Sequence, residues 1–178
     1  EGALPTNKII LTKPIGVGTI LAGEMQGLSK GIWIKGAHEW MMRSQGKIAR
    51  IIAKNATAMT DITGFGLVGH LMKICQASDL AVKLYLDELP ILEGALELTS
   101  LGVRSTLFEE NLNHNSLVNF SKDKVKWPLL FDPQTSGGLL ASIPEKDLNS
   151  VVNELKKHGF CSSIVGEFIS GRPEIKVS

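Results

Sequence analysis

Asp61-Ile62-Thr63-Gly64-Phe65-Gly66-Leu67-Val68-Gly69-His70 joins two segments of different period. Ahead of it, Ala56-Thr57-Ala58-Met59-Thr60 reads as a short strand. Behind it, Leu67, Val68, Leu71, Met72 and Cys75 recur at i, i+3, i+4 spacing, which predicts an amphipathic helix over 67–77. The stretch is therefore a strand-to-helix turn, with three glycines in six residues. Glycine lets the backbone take positive φ and lets another group come close. The first N–H groups of a helix have no intrahelical acceptor and favour an anion. Asp61 stands just before them. A carboxylate beside an anion site makes sense when a cation lies between the two, so one reading is a phosphate-and-metal corner. The other is a glycine-rich turn in which Asp61 or Thr63 caps the helix. His70, one turn in, reads as a structural histidine.

Gly64-x-Gly66-x-x-Gly69 also matches the dinucleotide fingerprint G-x-G-x-x-G, and Asp87 lies about twenty residues on, as that fingerprint asks. Against this, residues 56–60 lack the Val/Ile-rich character of a buried parallel strand. Asp61 would also set a negative charge near the pyrophosphate. A dinucleotide-binding module is the alternative reading.

Working outward, 178 residues suit one domain, or two small ones, and 43% apolar residues suffice for a core. The 19 basic and 18 acidic residues are interspersed and form no basic stripe, so charge does not suggest nucleic acid. No run of 18 apolar residues is present to span a membrane. The chain opens Glu1-Gly2-Ala3-Leu4-Pro5, which suggests a piece of a longer protein. Cys75 and Cys161 lack metal-type spacing, and reduced, cytoplasmic conditions are the simplest inference.

Lys8–Thr12 reads as a strand, followed by a Pro- and Gly-containing loop over 13–18. Lys13 at that loop is a candidate phosphate ligand, with a solvated lysine as the bland alternative. Residues 19–31 read as a flexible connection. Ile32–Met42 and Lys47–Lys54 read as helices, with Gly46 ending the first. Residues 81–86 alternate as a strand, and Ile91–Leu101 has a helical pattern closed by Gly102. The polar length 103–124 has no strong period and reads as a surface or ligand loop. Its Ser, Thr and Asn residues are suitable phosphate donors. Leu129–Phe131 is a short buried run leading through Asp132-Pro133-Gln134-Thr135-Ser136-Gly137-Gly138 into a strand over 139–143, a β–loop–β connection. Leu148, Val151, Val152 and Leu155 predict a helix over 145–158, with acids in its first turn and bases in its last. Strands over 163–169 and 175–177 close the chain. The mixed order favours α+β or a mixed-sheet layered domain over a doubly wound parallel sheet.

Three segments carry a resemblance. Met59 to Leu71 resembles the signature of the selenophosphate synthetase (selenide, water dikinase) family. Asp132-Pro133-Gln134-Thr135-Ser136-Gly137-Gly138-Leu139 resembles its second signature, and Lys13-Pro14-Ile15-Gly16 the segment that opens its C-terminal domain. They run in family order and span most of the chain. The family belongs to the aminoimidazole ribonucleotide synthetase superfamily, whose members have two domains, and only the second is resembled here.

The resemblance implies an α/β (α+β) fold: a three-layer α/β/α domain with a mixed sheet and partial ferredoxin-like topology. Residues 1–12 would be a lead-in and first strand, and 13–178 the synthetase C-terminal domain. The implied reaction turns ATP, selenide and water into selenophosphate, AMP and phosphate with Mg2+, in a homodimer of the intact chain. Asp61 matches an aspartate that completes a metal site with acids of the first domain. Thr63 and Gly64 would be its phosphate-side neighbours, and Lys13, Thr106 and Asn111 further ATP or phosphate ligands. No catalytic residue is implied in this stretch. The Cys or selenocysteine, its neighbouring Lys, most metal aspartates and the Gly-rich ATP loop belong to the first domain.

One segment departs from the pattern. Bacterial relatives often show Gly-Gly-Thr-x-x-Asn where this chain has Ser105-Thr106-Leu107-Phe108-Glu109-Glu110-Asn111. That form resembles versions fused behind a pyridine-nucleotide-dependent flavoprotein, so a docking module of a bifunctional flavoprotein fusion is a further alternative.

Overall fold

Ile9 and Leu11 of the first strand, β1 (Lys8–Leu11), join one apolar cluster and Ile10 a second, and all three are buried. That alternation is the period-2 rule applied to a strand covered on both faces. The computed structural model describes residues 2–114, 117–119 and 125–178. After β1 come α1 (Val17–Met25), α2 (Gly31–Met42), α3 (Gly46–Ile52), β2 (Ala58–Asp61), α4 (Gly66–Ser78), β3 (Ala81–Leu84) and α5 (Ala95–Ser100). Then follow α6 (Phe108–His114), β4 (Val118–Asn119), β5 (Leu139–Ile143), α7 (Glu145–Lys157), β6 (Ser163–Ile169) and β7 (Ile175–Val177).

The strands form one mixed seven-stranded sheet in the order β2-β5-β1-β6-β3-β7-β4. β5 and β6 flank β1 antiparallel, β2 pairs antiparallel with β5, and β3 with β6, while β7 runs parallel to β3 and β4. Among the described residues every pairing joins one of the first four strands to one of the last three. Apolar residues of α1, α2, α4, α5 and α6 cover one face of the sheet, against Ile9, Leu11, Val82, Leu140 and Val165. Ile48, Ile51 and Ile52 of α3 and Leu148, Val151 and Leu155 of α7 cover the other, against Ile10, Leu139, Ala141 and Ile143. The result is three layers, α/β/α.

The structure departs from the sequence reading in several places. Residues 19–31 are no flexible connection, because Val17, Thr19, Ile20, Ala22 and Gly23 build the buried side of α1. Its small residues hide the period: a Cβ on Gly23 would lie 2.9 Å from Leu98 Cδ2, so the close packing onto α5 excludes a side chain there. Gly46 opens α3 instead of ending α2, which stops at Met42. The helix expected over 91–101 is confined to α5, since Ile91 is held in a bridge to Ile15. The polar length 103–124 contains α6 and β4; residues 115, 116 and 120–124 lie outside the described residues. Leu129 and Leu130 belong to a 3-10 turn, Trp127–Leu130, so the loop after it is not a β–loop–β connection.

Candidate functional site

Strand register brings the two glycine loops to one end of the sheet. Leu140 of β5 pairs with both Leu11 of β1 and Thr60 of β2, so β1 and β2 end level on either side of the start of β5. Two strand spacings, roughly 9–10 Å, separate them. Asp61, the last residue of β2, is exposed. Ile62 turns inward and is fully buried, and its N–H donates to Gly138 O (3.0 Å). The Thr63 carbonyl accepts from Gly66 N (3.1 Å) and from Gln134 N (3.0 Å). The two loops are thus hydrogen-bonded to each other directly. Gly137 is required at this junction, because a Cβ there would stand 2.4 Å from the Ile62 carbonyl oxygen.

The turn is held from beneath by His70. Its Nε2 accepts from the Thr63 N–H (3.0 Å), with the Thr63 hydroxyl 3.1 Å away. An imidazole that accepts at Nε2 carries its proton on Nδ1 and is neutral. Burial, chiefly, and the nearby Lys73 push its pKa down, while Asp61 pulls it up. Asn111 of α6 holds the other side, donating from Nδ2 to Gly64 O (2.8 Å) and Phe131 O (3.0 Å). Gly66 takes φ +68, and a Cβ on it would lie 2.9 Å from the Phe131 carbonyl carbon. Helix α4 then starts with no side-chain cap, so neither Asp61 nor Thr63 plays the capping part. Asp61 keeps its carboxylate turned to solvent. The N–H groups of Gly64 and Phe65, a few residues on, donate to no protein group among the described residues.

This arrangement gathers Asp61, Thr63, Gly64 and Asn111 into one corner. Thr106 is exposed in the turn before α6, next to Leu107, whose Cδ1 lies 3.8 Å from where a Gly64 Cβ would be. The donors of Thr63 point at His70, and those of Asn111 at backbone carbonyls, so both shape the turn. Lys13 lies across the 132–138 loop. It is 3% exposed and donates from Nζ to Ser136 O (2.8 Å). Among the described residues no group of three His, Cys, Asp or Glu side chains could hold a metal, which leaves Asp61 as a single carboxylate. One carboxylate suits magnesium, which takes one or two and leaves its other positions to phosphate and water.

Asp132 and Gln134, which the sequence marks only as part of the second signature and gives no role, build the second loop together with Thr19 and Gln45, which it does not single out. Gln134 Oε1 accepts from the N–H groups of Gly16 and Val17 (3.2 Å each), and its Nε2 donates to Asp132 Oδ2 (2.9 Å). Asp132 Oδ1 accepts from Thr19 Oγ1 (2.9 Å), and Gly18 N donates to Pro133 O (3.1 Å). The loop therefore satisfies the N-terminal donors of α1 from a distance, where that helix has no cap of its own. Burial pushes the Asp132 carboxyl up to about 6, although the hydrogen bonds from Thr19, Gln134 and Gly18 act against it. Gln45 Nε2 donates to Gly137 O (2.7 Å), and its Oε1 accepts from Thr12 Oγ1 (2.8 Å). Glutamines in loops carry no periodic signal; only their place beside glycine loops could have marked them.

The dinucleotide reading fails on topology. β2 and β3 flank α4 in sequence but are separated in the sheet by β5, β1 and β6. A dinucleotide fold needs the two strands as parallel neighbours around the crevice. Asp87 sits in a 3-10 turn after β3 and receives Lys126 Nζ at 3.3 Å.

These features define an α/β domain of the kind found as one half of several kinases and maturation proteins. The fold aligns with thiamine-monophosphate kinase from Stenotrophomonas maltophilia K279a (TM-score 0.74, 16% identity, all of this chain and 52% of that one). It also aligns with a chain of the HypE–HypF complex (TM-score 0.71, 13% identity, 99% of this chain and 50% of that one). Residues 5–178 match the AIR synthase related protein, C-terminal domain, and the chain belongs to that family. Among curated relatives it is 32% identical over 172 residues to selenide, water dikinase of Clostridioides difficile strain 630 (94% of this chain, 49% of the relative). It is 34% identical over 183 residues to that of Enterobacter sp. strain 638 (98% and 52%). The chain thus spans about half the length of the curated relatives it matches. No helix among the described residues is long and apolar enough to cross a membrane.

Proposed function

We propose that this chain is the C-terminal domain of a selenide, water dikinase, which makes selenophosphate from selenide and ATP and releases AMP and phosphate. The observation that carries the reading is the corner at the end of β2. An exposed Asp61 carboxylate and the N–H groups of Gly64 and Phe65, which have no acceptor among the described residues, are held together by His70 and Asn111. Asp61 would hold magnesium and the Gly64 turn a phosphate of ATP, with Thr63, Thr106 and Asn111 shaping the phosphate side; Lys13, across the 132–138 loop with its ammonium on Ser136 O, is left out of this corner. Bound magnesium would neutralise charge on the moving phosphoryl group. The remaining ligands and the reacting groups belong to the half of the relatives that this chain does not span. In this reading the intact protein is a cytoplasmic homodimer, with the first domain as the partner of this face.

The test is Asp61→Asn in the protein that includes the first domain. AMP and phosphate release from ATP, magnesium and selenide should fall to the blank while the circular dichroism spectrum is unchanged. Near-normal turnover would sink the assignment.

A further inference from the structure

Two hollows outside the Asp61 corner meet at Thr12, Lys13, Trp40 and Cys161, and so form one groove on the far flank of the 132–138 loop. One, of about 430 Å³, adds Arg43 and Ser44 at the end of α2. The other, of about 310 Å³, adds the apolar walls of Pro14, Pro90, Ile91 and Leu92, with Glu93 at that side alone. Volumes of this order suit small molecules.

The cationic side is unusual in its charge balance. Lys13 is 3% exposed, and among the described residues Ser136 O is its one hydrogen-bond acceptor for three ammonium protons. Arg43 is exposed and lies over Trp40, with Cζ 3.8 Å from the ring centroid. Neither forms an ion pair among the described residues. Burial, and then the charge of Arg43, push the Lys13 pKa down, so the two cations face the same space without a counter-charge. Burying an ammonium group is unfavourable unless it is paired. A groove with two cations that form no ion pair among the described residues, an indole at its middle beneath Arg43 and two prolines beyond it matches a molecule with a dianionic head and a flat apolar body.

We propose that this groove binds an organic phosphate. The phosphate sits between Lys13 and Arg43, where Arg43 offers a planar fork held by stacking on Trp40. The apolar body runs past Trp40 onto the Pro14, Pro90 and Ile91 wall, and Glu93 sets the limit beyond which no anion is accepted. The site needs neither magnesium nor Asp61, so it stands apart from the function proposed above.

The experiment titrates the chain with phenyl phosphate in EDTA, reading tryptophan fluorescence and calorimetric heat. Inorganic phosphate and phenol serve as the two half-ligands. Saturable binding of phenyl phosphate is expected, with inorganic phosphate at least about tenfold weaker and phenol without effect. Lys13 is buried and its variants risk misfolding, so the deciding substitution is the exposed Arg43→Gln. It should weaken phenyl phosphate by about tenfold or more at unchanged thermal midpoint. Absence of saturable binding, equal affinity for inorganic phosphate, or an Arg43→Gln variant that binds like the parent would each overturn the proposal. Because EDTA removes magnesium, such a failure leaves the Asp61 reading untouched, and loss of the Asp61 reading leaves this one standing.

Discussion

Single residues at the two loops make opposite demands on pH. His70 is buried as a neutral acceptor, and its pKa lies below the ordinary 6.5. The unfolded chain therefore binds the proton more readily. The contribution of His70 is fully present above pH 6.5 and is lost as the pH falls below that value through the lower pKa of the folded state. His70→Leu would leave the Thr63 N–H unpaired, at about 1–3 kcal/mol. Its urea midpoint should drop at neutral pH, and the difference from the parent should shrink on acidification. Asp132 runs the other way. Its carboxyl is raised from 3.8 to about 6, so the folded state holds the proton more tightly. Stability from this group is present below 3.8 and declines as pH rises to about 6. Asp132→Asn should remove that decline, seen as a flatter midpoint-against-pH curve over the same window. That Asp61 stands exposed just before the turn is legible in the chain, because a carboxylate before a glycine turn is local information. That Thr63 and Asn111 turn their donors inward could not, since the acceptors, His70 and two carbonyls, are fixed only by the tertiary fold.

At the scale of elements, legibility followed the strength of the period. Helix α7 was read nearly residue for residue. Leu148, Val151 and Leu155 are buried against β5, acids stand in its first turn and Lys156 and Lys157 in its last. Leu155 is fully buried, so Leu155→Ala should cost about 2–5 kcal/mol. An unchanged urea midpoint would show that this face packs on nothing. Helix α4 was equally plain. Helix α1 was not, because its packing surface uses glycine, alanine and threonine, which register weakly in any apolar period. The 3-10 turn Trp127–Leu130 is illegible in the sequence for the opposite reason: a short apolar run looks the same whether it is a buried turn or a buried strand. The three-layer α/β/α arrangement itself was anticipated, chiefly through the resemblance of the two loops, and the sheet agrees with it.

For the whole molecule, the function proposed above makes this chain half of a phosphoryl-transfer site, and half a site should give almost none of the rate, because such catalysis rests on positioning and charge neutralisation by the complete set of groups. Residues 1–178 with ATP, magnesium and selenide are expected to stay at the blank for AMP release, and the protein extended through its first domain to turn over. AMP produced by residues 1–178 alone would overturn that division of labour. The strand pairings carry a different consequence, which concerns time. Among the described residues β1, β2, β3 and β4 find partners only in β5, β6 and β7, so none of these pairings can form until residue 139 has been made. At ordinary rates of translation the nascent chain spends roughly 7–30 s in that condition. Helices of the first two-thirds can form as they emerge, but Ile9, Ile10 and Leu11 must wait beside a ribosome with no neighbour on either side. A holding chaperone would find its binding segment there, and release would be timed by the arrival of the Gly137-Gly138 loop.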